Sequence, residues 1–259
     1  MNDFCSFTEK LNDRLCRLGV SLVSYDVTDS TNTRAKAYAA DAADRTPVLF
    51  VARQQSAGRG RLGRDFVSRD ESSIYMTLLC FTSGDLSGAV TVTTATAVAA
   101  ARSIERVTGE RVGIKWVNDI YSDDGKVAGI LVESVPVSDG YAIAVGIGIN
   151  VGVAEFAPEI KGVAASLGSL SADKKAELAA SICQGVLDHA AHPTNREYMS
   201  LYRELFILQG REVDIFVSGE WLLNGVVDGV DDNGGLIVSC GGQKTVFSSG
   251  EITVRISDK

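Results

Sequence analysis

The stretch VGIKWVNDIYSDDGKVAGILVES, residues 112–134, is two apolar runs separated by Asp123-Asp124-Gly125, the residues of a tight turn. The pattern predicts a strand up to about residue 122 and a second strand returning beside it. Lys115 closes an apolar run next to Trp116, and an ammonium there is costly to bury without an anionic partner. It signals either a strand-end salt bridge or an anion site. Asn118 and Asp119 follow, with an amide and a carboxylate that can reach phosphate or a magnesium ion. Gly129, inside the returning strand, would let a ligand lie flat against the sheet, with Ile130 beside it.

Outward from this hairpin, strand patterns recur at 21–27, PVLFVARQQ (47–55), SSIYMTLLCF (72–81) and YAIAVGIGINV (141–151). Helical patterns cover 1–19, DSTNTRAKAYAADAAD (29–44), 87–108, 173–191 and 195–208. After Gln209-Gly210 the texture changes to short strands separated by DDNGG, GGQ and SSG, which predicts a small barrel of about fifty residues. The expectation is an α+β chain with a larger unit over residues 1–210 and a small one over 211–259.

QQSAGRGRLGR, residues 54–64, places positive charge on a glycine-rich loop although the chain carries a net charge of −8. With Arg53, four arginines fall within twelve residues. Glycine lets backbone amides approach an anion, and arginine offers a planar fork of donors for carboxylate or phosphate. A solvated basic loop or a nucleic-acid contact would look the same. No GK[ST] follows, so the loop is not of the Walker type. DSTN, residues 29–32, can hold a small polar ligand at a helix start or simply cap the helix. In GIGIN, Gly146 and Gly148 alternate along a strand that ends at Asn150, which signals close approach by some group or a bulge.

Of the 259 residues, 45% are hydrophobic and 22% charged, ordinary values for a globular chain. The five cysteines are scattered without a CxxC pair, which argues against a disulfide framework and a zinc site. The polar, mixed-charge N-terminus does not read as a signal peptide, and no apolar run is long enough to span a membrane. These features predict a soluble cytoplasmic protein.

The ordered set DSTN, Q-x-AGRGRxGR, KWxNDI, GKxAGILVE and GIGIN, ending in a small strand-rich unit with SGEI, resembles the biotin–protein ligases from about Tyr25 to Ile256. The AGRGRxGR and KWxND pair is specific to that family. The resemblance implies the mixed sheet of class II aminoacyl-tRNA synthetases followed by an SH3-like barrel. It implies a two-step reaction: biotin and ATP, with Mg2+, give biotinyl-5′-AMP, and the biotinyl group then passes to a lysine of a biotin carboxyl carrier protein domain, as in acetyl-CoA carboxylase.

Carried over by position, Ser30, Thr31, Asn32 and Gln55 would meet biotin, together with Arg59, Gly60, Arg61, Lys115, Gly129 and Ile130. Lys115, Arg59 and Arg61 would be catalytic, and Arg59, Arg61, Arg64, Phe66, Asn118 and Asn150 would line the nucleotide side. Asp119 would help place magnesium. Val117 stands where the family usually has proline, Leu62 where arginine is frequent, and Phe66 where tryptophan is common. No tightly bound prosthetic group is implied. The twenty-odd residues before the match do not accommodate a helix-turn-helix, so no DNA binding is expected, and a homodimer is compatible with the sequence. The rival readings are a lipoate or octanoate ligase or transferase, which usually carries an RRxSGGG-type segment not found here, and a non-enzymatic nucleic-acid or nucleotide-binding module.

Overall fold

The structure, a computed structural model, describes residues 3–61, 71–83, 89–153, 155–158, 160–248 and 252–256, without the side chains of 89 and 90. Seven strands make the larger sheet: β1 (Ser21–Thr28), β2 (Val48–Gln55), β3 (Ile74–Thr82), β4 (Gly113–Lys115), β5 (Asp119–Ser122), β6 (Gly125–Val137) and β7 (Gly140–Ile149). Their order is β1-β2-β3-β7-β6-β5-β4, with β1 and β2 parallel and the remaining neighbours antiparallel.

Both faces of this sheet are covered, so β2 and β3 are continuous apolar runs, without the alternation of a half-exposed strand. Leu49, Val51, Ile74, Met76, Leu78, Val145 and Ile147 belong to the main core with α1 (Asp3–Cys16), α3 (Ala89–Thr108) and α4 (Ala172–Ala191). The opposite face carries α2 (Thr31–Asp41), whose Ala35 and Ala39 sit against Val48, Phe50, Leu79, Ala142 and Ala144. Phe7, Leu11 and Leu15 of α1 are buried, and the buried ammonium of Lys175 in α4 meets Asp3 at 2.9 Å. The first helix is thus part of the core.

Two expectations differ from the fold. Residues 112–122 form two short strands instead of one, because the chain reverses at Trp116–Asn118 and pairs Lys115 with Asp119. Trp116 and Val117 leave the sheet to be buried elsewhere: Trp116 Nε1 donates to Gly234 O at 2.9 Å, and Tyr202 Oη donates to Val117 O at 3.3 Å. The helix expected over 195–208 is shorter, α5 (Tyr198–Leu205). Its C-terminal end is drawn out as Ile207 N bonds Ile114 O at 3.1 Å beside a parallel bridge between Ile114 and Phe206. Tertiary pairing overrides helix propensity there.

The second sheet is antiparallel and five-stranded, ordered β11-β10-β9-β8-β12 from β8 (Glu212–Val217), β9 (Glu220–Val230), β10 (Leu236–Cys240), β11 (Gln243–Phe247) and β12 (Ile252–Ile256). Among the described residues β11 and β12 do not pair with each other. The buried residues of this sheet, Val213, Ile215 and Leu236 among them, join the main core. Arg203 of α5 ties the sheet down, donating to Val230 O at 3.0 Å and pairing with Asp232.

His189 of α4 packs edge-on against Tyr198, with ring centroids 5.1 Å apart. Burial, and then the nearby Arg196, hold its imidazole below the ordinary value of 6.5. The unfolded chain therefore binds this proton more readily, so the contribution to stability falls as pH drops through the ordinary imidazole range. Thermal melts should show Tm rising between about pH 5 and 7, with a shallower rise in His189→Gln. Equal slopes would contradict this.

Candidate active site

Beneath α2 the sheet face is paved by Leu79, Ala142 and Ala144, but past the start of that helix it becomes glycine. Gly148 pairs with Gly129 on one side and Tyr75 on the other, and Gly146 pairs with Leu131 and Thr77. Above this row lies a cavity of about 860 Å³, large enough for a drug-sized ligand.

The start of α2 forms one part of the wall. Ser30 takes the extended N-cap conformation, but its hydroxyl makes no capping bond. Asp29 holds the turn instead, accepting from Ser30 N at 2.7 Å and pairing with Arg34 at 2.8 Å. Burial pushes the Asp29 carboxyl up, and those donors outweigh it and hold it below the usual range. The first free amide of the helix is satisfied across the sheet: Gln55 Oε1 accepts from Thr31 N at 2.7 Å and lies 3.1 Å from the Thr31 hydroxyl.

The glycine-arginine segment leaves β2 still bonded to its neighbour, through Ser56 N to Thr28 O and Ala57 N to Asp29 O, each 2.9 Å. Arg53 is neutralised by Asp26 and Glu71, both at 3.0 Å, and does not line the cavity. Arg59, Gly60 and Arg61 do line it. Arg64 and Phe66 lie outside the described residues.

The β4–β5 hairpin brings Lys115, Asn118 and Asp119 to the same cavity. Lys115 Nζ sits 5.4 Å from the centre of the Tyr121 ring, within cation–π range. Burial and then Asp119 push the Tyr121 phenol up to about 12, so it stays neutral. Asn118 clips the hairpin to β6: its Nδ2 donates to Ile130 O at 2.6 Å, and its backbone O accepts from Ile130 N at 3.0 Å. Asn118 Oδ1 accepts from Arg61 at 3.3 Å, which joins the hairpin to the arginine loop.

Asp119 is held by Lys126 at 2.7 Å, and among the described residues no group of three His, Cys, Asp or Glu side chains could hold a metal ion. Asn150 staples a loop, donating to Ala165 O at 3.0 Å and Lys126 O at 3.3 Å. Thr253 and Arg255 of β12 complete the lining from the second sheet.

Sequence reading missed Thr77, Glu133 and Lys36. Glu133 Oε1 meets Lys36 Nζ at 2.5 Å, and Oε2 accepts from Asn32 Nδ2 at 2.8 Å. Burial pushes this carboxyl up, but Lys36, the Asn32 amide and Arg59 outweigh it and hold it below the usual range. An acid at the end of the apolar run GILVE, and an Asn32–Lys36 spacing of one helical turn, were the available signals.

The biotin/lipoate A/B protein ligase family model matches residues 24–150. The chain is 30% identical over 250 residues to the biotin–[acetyl-CoA-carboxylase] ligase of Paracoccus denitrificans, covering 87% of this chain and 97% of that protein. This chain belongs to the biotin/lipoate A/B protein ligase family. It is also 36% identical over 160 residues to the bifunctional ligase/repressor BirA of Bacillus spizizenii, covering 61% of this chain and 49% of that relative, so it spans about half the relative's length. The biotin protein ligase of Aquifex aeolicus, solved in complex with biotin and ATP, shares the fold with a TM-score of 0.75 at 24% identity, over 92% of this chain and 99% of that one.

A glycine-floored site makes a local prediction. A Cβ at position 146 would stand 2.1 Å from Asn32 Oδ1. Gly146→Ala should therefore cost about 1–3 kcal/mol in denaturant unfolding, as overpacking does. A variant as stable as the parent would contradict that packing.

Proposed function

We propose that this protein is an ATP-dependent biotin–protein ligase. The observation that carries the reading is one cavity lined by three features together: the polar turn Ser30-Thr31 with Gln55, the glycine row, and the cations Lys115, Arg59 and Arg61.

A carboxylate is a poor electrophile and needs a leaving group before an amine can attack. In the first step a biotin carboxylate oxygen forms a bond to the α-phosphorus of ATP. The bond to the bridging oxygen breaks, and pyrophosphate leaves with that electron pair. Two anions must be brought into contact for this, and Lys115 with the arginines offsets the repulsion most strongly as charge moves in the transition state. In the second step the amine of a carrier lysine attacks the acyl carbon, AMP leaves, and the amine loses its proton. No protein nucleophile is needed. Magnesium enters bound to ATP as part of the substrate.

We also propose that residues 211–259 are an SH3-like barrel set off at Gly210; five short antiparallel strands after that residue support this. The proposed acceptor is a biotin carboxyl carrier protein domain, and the proposed setting is the cytoplasm, where ATP and such a carrier occur together. Among the described residues no helix is long and apolar enough to cross a membrane.

Mass spectrometry of a biotin carrier domain incubated with protein, biotin and ATP–magnesium tests the reading. One added biotinyl group is expected, with none when lipoate replaces biotin. Lys115→Ala should lower the rate at least about a hundredfold, the scale for removing one electrostatic donor, with an unchanged melting curve. Equal use of lipoate, or turnover by Lys115→Ala like that of the parent, would refute it.

A further inference from the structure

Asn32 lies in the cavity lining, yet its amide is already used inside the protein. A carboxamide has two N–H donors. One meets Glu133 Oε2 at 2.8 Å and the other Leu131 O at 3.2 Å. Its Oδ1 lies 2.6 Å from Thr77 Oγ1. The reverse orientation would set the oxygen against a carboxylate and a carbonyl, so only this one satisfies every partner.

Thr77 is fully buried and has one proton, which goes to Asn32 Oδ1 because that oxygen can only accept. Thr77 Oγ1 lies 2.8 Å from Thr31 Oγ1, whose one proton faces two acceptors, Thr77 Oγ1 and Gln55 Oε1 at 3.1 Å. Ser30 is the remaining hydroxyl of this turn; it is buried at 4% exposure, lines the cavity and has no hydrogen bond to its side chain among the described residues. Gly146 gives Asn32 its room, and Lys36 holds the second oxygen of Glu133.

We propose that Glu133 and Thr77 are positioning residues: they fix Asn32, which anchors the first turn of α2 so that Ser30 presents its hydroxyl to the biotin head group. This rests on the biotin-ligase reading and revises the part Asn32 plays in it, from ligand contact to anchor.

Calorimetric titration with biotin alone, alongside adenylation kinetics, tests it. Asn32→Ala and Glu133→Ala should each raise the Kd for biotin about tenfold, equivalent to 1.4 kcal/mol. Their double variant should also lose only about tenfold, because Glu133 acts through Asn32. KM for ATP should stay at the parent value throughout. Thr77→Ser, which keeps the hydroxyl, should bind as the parent does, and Thr77→Val should not.

A parent-like Kd in Glu133→Ala would overturn the proposal, as would a double variant that loses about a hundredfold, the product of the singles. Should Glu133→Ala fail to fold, Glu133→Gln carries the test: it keeps an acceptor for Asn32 but loses the Lys36 ion pair, and a loss of about threefold is expected. An unchanged Kd there overturns the proposal. A parent that binds no biotin would overturn the functional reading and this inference with it; a biotin-binding parent with unaffected variants overturns this inference alone.

Discussion

The site depends on how closely the start of α2 approaches strand β7. Asn32 lies so near the backbone of residue 146 that a Cβ there would stand 2.1 Å from its oxygen. Moving the helix off the sheet would separate Thr31 from Gln55 and from Thr77, and it would take Ser30 away from the cavity. The next glycine pair, Gly148 and Gly129, carries the bare surface on under the open volume. A helix packed tightly at one end and a floor without side chains beyond it are one arrangement.

The charged half of the site is built on a different principle. Lys115 is carried on a three-residue edge strand, which would be weak by itself. It is steadied from two sides, by Asn118 clipping the hairpin to β6 and by Trp116 reaching Gly234 in the turn between β9 and β10. The second sheet therefore takes part in placing the lysine, besides lending Thr253 and Arg255 to the lining. A single core running through both sheets fits that dependence.

Much of this was legible in the sequence, and the limits have physical causes. Strand and helix positions followed from apolar periodicity, which reports burial directly. The division of residues 112–122 into two strands did not, because Trp116 and Val117 look apolar in the sheet or out of it. The end of α5 was lost for a similar reason, since pairing at Ile114 is a tertiary event. Ser30, Gln55, Arg59, Arg61 and Lys115, singled out from their motifs, line one cavity. Arg53 looked like part of the same basic cluster, but two acids distant in sequence neutralise it. The alternating glycines did signal close approach, and at Gly146 the approaching group is the protein's own Asn32. Thr77, in the middle of an apolar strand, carried no mark of its partners.

In the proposed function, the site sets a carboxylate against a phosphate without using a nucleophile of its own. The most direct test is exchange of labelled pyrophosphate into ATP, which reports reversible adenylate formation in the absence of any carrier. The account predicts exchange that requires biotin, is not supported by lipoate, and is lost in Lys115→Ala. Exchange that proceeds without biotin, or none with biotin and ATP–magnesium at saturation, would contradict it.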